Sequence, residues 1–192
     1  MSATVTPPLP GPVLPAPHPT PPPVAAPPVT FMRLLYRFTV GQFQRMTELD
    51  VLTADDRVEL LEGMVVQKMP HNAPHAGTIQ ALTKRLGRRL VPGWELRVQL
   101  PLVLGDGQPE PDFAVVQGDE TTYFGRQPTA ADACLVIEVA DSSRLCDRRD
   151  KARIYARAGI PVYWIVNLVD RRVEVLTNTT AQVAPSFSAS DI

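Results

Sequence analysis

The 192-residue chain sets 19 Lys+Arg against 20 Asp+Glu, is 44% hydrophobic and holds only two cysteines and three histidines. That length allows one domain with a real core and hardly two, and the balanced charge excludes a global field drawing the chain to DNA or to an acidic membrane, so a nucleic-acid function must rest on a local patch. Cys134 and Cys146 supply neither a disulfide framework nor a thiolate metal cluster, and no apolar run of about 18 residues is long enough to span a membrane; a reduced, cytoplasmic setting is the default expectation.

Residues 1–30 hold 12 of the 21 prolines and no charged residue. Proline fixes φ and removes backbone donors, so a disordered, extended tail is expected here. The first 30 residues also lack the basic start and apolar stretch of a secretory signal. The folded part is expected from about Phe31 to residue 180, with a flexible tail over 181–192. Thr39 is a plausible N-cap for a helix from Val40 to about Leu49. Gly63 marks a turn before a strand at Met64–Met69. From His75 to Val91, Ile79, Leu82, Leu86 and Leu90 repeat at helical spacing, and Pro92-Gly93 ends that helix. Strands are predicted over Trp94–Leu104 and Phe113–Val116. The continuous apolar run Ala133–Ala140 reads as a central strand buried on both faces. A helix follows from Asp147 to about Ala158, stopped by Gly159 and Pro161. Two further strands, Val162–Val169 and Arg172–Leu176, complete an α/β domain with a mixed sheet.

Glu138 is out of place by composition: it follows Leu135-Val136-Ile137 in the most apolar strand. A carboxylate there is costly unless paired, hydrogen-bonded or bound to a metal. Asp112 opens another apolar strand after Pro109-Glu110-Pro111. Carboxylates at the ends of neighbouring strands can converge, and hard oxygen ligands suit Mg²⁺ or Mn²⁺. Lys151 falls in the first turns of the helix after Glu138, with Tyr155 one turn further along the same face. A lysine there can orient water and neutralise charge on a phosphate. Taken singly, each residue has a plain structural reading: Glu138 at an exposed strand end beside an arginine, Asp112 as a turn former, Lys151 on a solvated helix face.

Together these segments resemble a known family. Asp56-Arg57-Val58-Glu59-Leu60-Leu61-Glu62-Gly63, His75 at the start of the next helix, Glu110-Pro111-Asp112, and Leu135-Val136-Ile137-Glu138-Val139-Ala140-Asp141-Ser142-Ser143 resemble the Uma-type restriction endonuclease family, a branch of the PD-(D/E)XK nuclease superfamily. So do Asp147, Lys151, Tyr155-Ala156, Ala158-Gly159-Ile160-Pro161 and Tyr163-Trp164-Ile165-Val166. The resemblance covers roughly residues 38–177. It implies a restriction-endonuclease-like mixed sheet flanked by helices, with Asp112 and Glu138 as metal ligands. The superfamily's lysine two residues after the glutamate would fall at Ala140, so the resemblance implies that Lys151 replaces it. Glu59, Glu62 and His75 enter as further pocket residues, and Met64 stands where many members have Glu.

The expected activity is Mg²⁺- or Mn²⁺-dependent hydrolysis of DNA phosphodiesters by Asp112, Glu138, Lys151, His75 and Glu59. Lys84, Arg85, Arg88 and Arg89, with Arg97 and Arg126, are the candidate DNA contacts, forming a weak local patch. A homodimer would suit double-strand cleavage. Two other classes compete: a nuclease fold without catalysis that binds nucleic acid or protein, and an interaction protein working through its proline-rich tail.

Overall fold

A computed structural model of the chain describes residues 35–70, 72–141, 147–178 and 187–191. The tail expected over residues 1–30 lies outside them. Helix α1 spans Val40–Glu48 and is capped by Thr39, whose hydroxyl accepts from Gln42 N at 3.2 Å while the Gln42 amide oxygen accepts from Thr39 N at 2.9 Å. This reciprocal box satisfies two helix-end donors. A 3₁₀ turn at Ala54–Asp56 leads to an antiparallel hairpin of β1 (Val58–Leu61) and β2 (Met64–Gln67). The sequence reading passes over β1, because Glu59 and Glu62 hide its apolar pattern. The hairpin turn holds Glu62 and Gly63 both at positive φ, 50° and 76°, the two-residue geometry that matches strand twist. A Cβ at Gly63 would lie 2.7 Å from the Arg37 Cβ, so only glycine fits.

Helix α2 (Ala73–Gly87) begins two residues earlier than its apolar stripe suggests, because Asn72 caps it and Pro74 sits in its first turn. A six-stranded sheet follows: β3 (Trp94–Val98), β4 (Phe113–Gln117), β5 (Ala133–Ala140), β6 (Val162–Asn167), β7 (Arg172–Asn178) and β8 (Phe187–Asp191), paired in that order. All neighbours are antiparallel except β5 and β6, which are parallel. Their crossover includes a π turn at Asp147–Lys151 and the short helix α3 (Ala152–Arg157). The strand expected to run to Leu104 stops at Val98, where Gln99 takes φ 52° and turns the chain. Within the segment expected as a polar tail, Phe187–Asp191 pairs with β7. An edge strand needs only backbone partners, so an apolar pattern is not required of it.

Alternation along β5 divides the core. Phe113, Ile137 and Val139 pack on one face with Ile79, Leu82 and Leu86 of α2. Val136 and Ala140 face the other way, among Tyr155, Ile154 and Ala152 of α3 and Tyr163 and Ile165 of β6. Burying each large apolar side chain contributes roughly 1.5–3 kcal/mol, enough in sum to hold polar groups inside the sheet. Among the described residues, no helix is long and apolar enough to cross a membrane.

Candidate active site

Beyond the Phe113–Ile137 pair, the β4–β5 ladder gives way to side-chain bonds. Asp112 Oδ2 accepts from Val139 N at 2.8 Å, and Glu138 Oε2 accepts from Asp112 N at 3.4 Å. Each carboxylate thus takes an amide of the opposite strand. Antiparallel pairing places the start of β4 against the C-terminal end of β5, and this is why two residues 26 apart in sequence meet. Both are buried, Asp112 at 6% and Glu138 at 4% exposure.

His75 reaches the pair from α2. Asn72 Oδ1 caps the helix by accepting from His75 N at 3.0 Å, and this fixes the imidazole at the helix start. His75 Nε2 lies 3.0 Å from Asp112 Oδ2. An ionised carboxylate can only accept, so Nε2 carries the proton. Gln99 Nε2 donates to Asp112 Oδ1 at 3.2 Å, and Gln99 N to the Asp112 carbonyl at 3.1 Å. Burial would raise the Asp112 carboxyl, but the bonds from His75, Val139 N and Gln99 outweigh it and hold the group below the usual carboxylate range.

From the other side, Lys151 Nζ donates to Glu138 Oε1 at 2.9 Å and lies 3.4 Å from Glu59 Oε1. The Tyr155 hydroxyl donates to the same Glu138 oxygen at 2.9 Å. Complete burial, then the nearby Glu138 charge, push this phenol well above its ordinary value, so it stays a donor. Glu59 Oε2 accepts from Glu110 N at 3.0 Å, and the Glu110 carboxylate pairs with Lys68. Ala140, two residues after Glu138, is fully buried. The ammonium beside Glu138 is that of Lys151, the last residue of the π turn that leads into α3.

All five candidate catalytic residues, Asp112, Glu138, Lys151, His75 and Glu59, fall in this one network. Glu62 does not. It bonds Arg153 and Arg157 at the surface, and Arg157 also bonds Asp106 at 2.6 Å. Its hydrogen bond to Arg153 lowers its carboxyl from an ordinary 4.5 to about 2, against partial burial and with help from both arginine charges. Glu62 thus ties the β1–β2 turn to the helix that carries Tyr155. Because the folded value is depressed, this stabilisation is complete above pH about 4.5 and fades as pH falls toward 2. With both arginines half-exposed, solvent screening limits it to about 1 kcal/mol. Thermal melts of Glu62→Ala should show that deficit at neutral pH and a narrowing gap below pH 4.5.

The basic candidates are placed elsewhere. Lys84 and Arg85 lie in the last turn of α2, with Arg88 and Arg89 just beyond. At 1.5 Å per residue they stand roughly 14–21 Å along the helix direction from His75. Arg97 is buried, stacks on Tyr123 at 5.4 Å and bonds Gln127, so it cannot be a DNA contact as the sequence suggests. It lies in β3, an edge strand of the sheet, where its side chain is covered by its contacts with Tyr123 and Gln127. Arg126 holds Asp132 through two bonds of 2.9 and 3.0 Å. Sequence reading misses Gln99, which sits beyond a strand end with no local signal. It also misses Asn72, a residue of the preferred capping type just before a helix-start proline.

A mixed sheet covered by helices, with two acidic residues at the end of an antiparallel strand pair and a lysine beside them, is the restriction-endonuclease-like fold. The chain belongs to the Uma2 family, described as "Putative restriction endonuclease", whose profile matches residues 40–190. The fold is also that of a protein from Anabaena variabilis described as "a putative nuclease belonging to DUF820", with a TM-score of 0.58, 14% identity, and coverage of 81% of this chain and 85% of that one. No curated protein matches the chain.

Proposed function

We propose that the protein is a divalent-metal-dependent DNA endonuclease. One observation carries this reading: two buried carboxylates from different strands, Asp112 and Glu138, meet beside a lysine ammonium at a strand end. Membership of a nuclease family supports it. The donor set fits a hard divalent ion. Asp112, Glu138 and Glu59 bring three buried carboxylates against the single ammonium of Lys151, an excess of negative charge that a cation would offset. Among the described residues, no group of three or more His, Cys, Asp or Glu side chains is placed to hold a metal ion together. Two carboxylates with water completing the shell suit Mg²⁺ or Mn²⁺ better than Zn²⁺.

Asp112 and Glu138 would hold that ion, which when bound supplies Lewis-acid polarisation of a phosphate and acidification of water. The chain's own groups do the rest. His75 and Gln99 fix the Asp112 carboxylate in its ionised form. Tyr155 orients Glu138. Lys151 offers an ammonium to the negative charge that grows on the phosphate oxygens during displacement. Glu59 holds that ammonium from the other side. Lys84, Arg85, Arg88 and Arg89 would meet DNA phosphates away from the reacting bond, positioning the strand without reading its bases. Cutting both strands of a duplex would call for two such sites related by a two-fold axis.

Supercoiled plasmid incubated with the purified protein should be nicked in Mg²⁺ or Mn²⁺, and left intact in EDTA or with Glu138→Ala. Nicking that survives Glu138→Ala would place the chemistry elsewhere. A folded protein inert with every metal and DNA form would leave a binding module on a nuclease fold.

A further inference from the structure

A cleft of about 690 Å³ opens between α1, the turn before β1 and the loop from β4 to β5. Its wall includes Lys68 and Glu110. Glu110 binds Glu59 through its backbone and stands two residues before Asp112, so the cleft adjoins the carboxylate network. We propose that this cleft is a subsite for one unpaired nucleotide next to the scissile phosphate, which makes single-stranded or locally opened DNA the substrate class. The inference rests on the nuclease reading above.

Phe124 is the first ground. It lines the cleft and is 84% exposed, more than any other large hydrophobic side chain among the described residues. An exposed phenyl ring is a platform on which any base can stack. Beside it, a Cβ at Gly125 would meet nothing within 4 Å, so there is open space next to the ring.

The loop that presents Phe124 is braced. Tyr123 is buried beneath two guanidinium groups, Arg97 at 5.4 Å and Arg126 at 5.0 Å, and its hydroxyl donates to the Gln117 carbonyl. Asp119 accepts from the backbone and hydroxyls of Thr121 and Thr122 at 2.8–3.1 Å. The double bond from Arg126 to Asp132 closes the loop. A ring held out on such a loop is preorganised for a ligand, which lowers the ordering cost of binding.

Charge gives the second ground. The lining has Arg57, Lys68 and Arg126 against Glu48, Asp50 and Glu110. Lys68 is paired with Glu110, Arg126 with Asp132 and Glu48 with Arg45. Arg57 and Asp50 have no ion pair among the described residues, and both stand at positive φ, 50° and 54°; Arg57 is the cation of the lining left for a phosphate. A non-glycine residue at positive φ is costly and is found at functional sites. One aromatic platform and one available guanidinium match one base and one phosphate. They do not match a duplex, whose bases are already stacked and paired and offer no face to Phe124.

Binding in EDTA tests this without cleavage. Fluorescence anisotropy would compare a labelled oligothymidylate with a blunt duplex of the same length. Wild-type protein should bind the single strand at least about ten-fold tighter. Phe124→Ala, at an exposed position that does not threaten folding, should weaken single-strand binding about ten-fold and leave duplex binding unchanged. Arg57→Ala should weaken it and reduce its salt dependence by about one phosphate contact. Equal binding of the two DNA forms, or a Phe124→Ala protein with unchanged single-strand affinity, would overturn the subsite. Because no metal or cleavage enters this assay, a failed plasmid test and a failed binding test remain distinguishable.

Discussion

Lys151→Ala is expected to lower stability by about 3–5 kcal/mol at neutral pH and to abolish cleavage. Lys151 lies 2.9 Å from Glu138 and 3.4 Å from Glu59, both buried. Removing the ammonium leaves two carboxylates facing each other without a counter-charge, which is the costly way to break a buried pair. Tyr155 still donates to Glu138, and Glu110 N to Glu59, so the protein should remain folded and measurable. Adding Glu138→Ala to Lys151→Ala should then recover part of the lost stability, because it removes one of the two stranded charges. Activity should stay absent. Urea unfolding of the two single variants and the double variant gives the coupling directly. A Lys151→Ala protein as stable as wild type would mean that the ammonium does not neutralise these carboxylates.

Asp112→Asn should reduce cleavage about 10³-fold while keeping the fold, a loss of the size seen when a group acting on transition-state charge is removed. Asparagine keeps the shape and can still accept from Val139 N, so the strand ends stay joined. The lost negative charge is the one that would hold the ion. The pH behaviour should separate the two proteins. Burial works to raise the Asp112 carboxyl, but His75, Val139 N and Gln99 together hold it below its ordinary 3.8. The stability it supplies is therefore complete above pH 3.8 and is lost as pH falls through the lower folded value. Wild type should lose stability more steeply than Asp112→Asn in that range. For the same reason Asp112 stays ionised through neutral and mildly acidic conditions, and any acid limb of cleavage seen there belongs to another group. Parallel acid-unfolding curves for the two proteins would remove the basis for this assignment.

Glu138 was legible in the chain because it interrupts the most hydrophobic strand, and a charge there demands a partner. Asp112 was legible as the acid that opens the preceding apolar strand, and Lys151 and Tyr155 as one face of the helix expected after Glu138. Local periodicity also marked α1, α2 and β5, since spacing of 3.6 and continuous apolar runs are properties of neighbouring residues. The tertiary structure decided what depends on distant pairing. The antiparallel register of β4 against β5 brings Asp112 to Glu138, the hairpin β1–β2 delivers Glu59 to Lys151, and the cap at Asn72 aims His75 at Asp112. It also separated residues alike in composition. Glu62, three positions from Glu59, turns to surface arginines, and Arg97 is buried over the Tyr123 ring while Lys84 stays in solvent. Residue type and spacing determine which groups carry charge. Only the fold sets which charges share a low-dielectric pocket, because that depends on contacts between segments far apart in the chain.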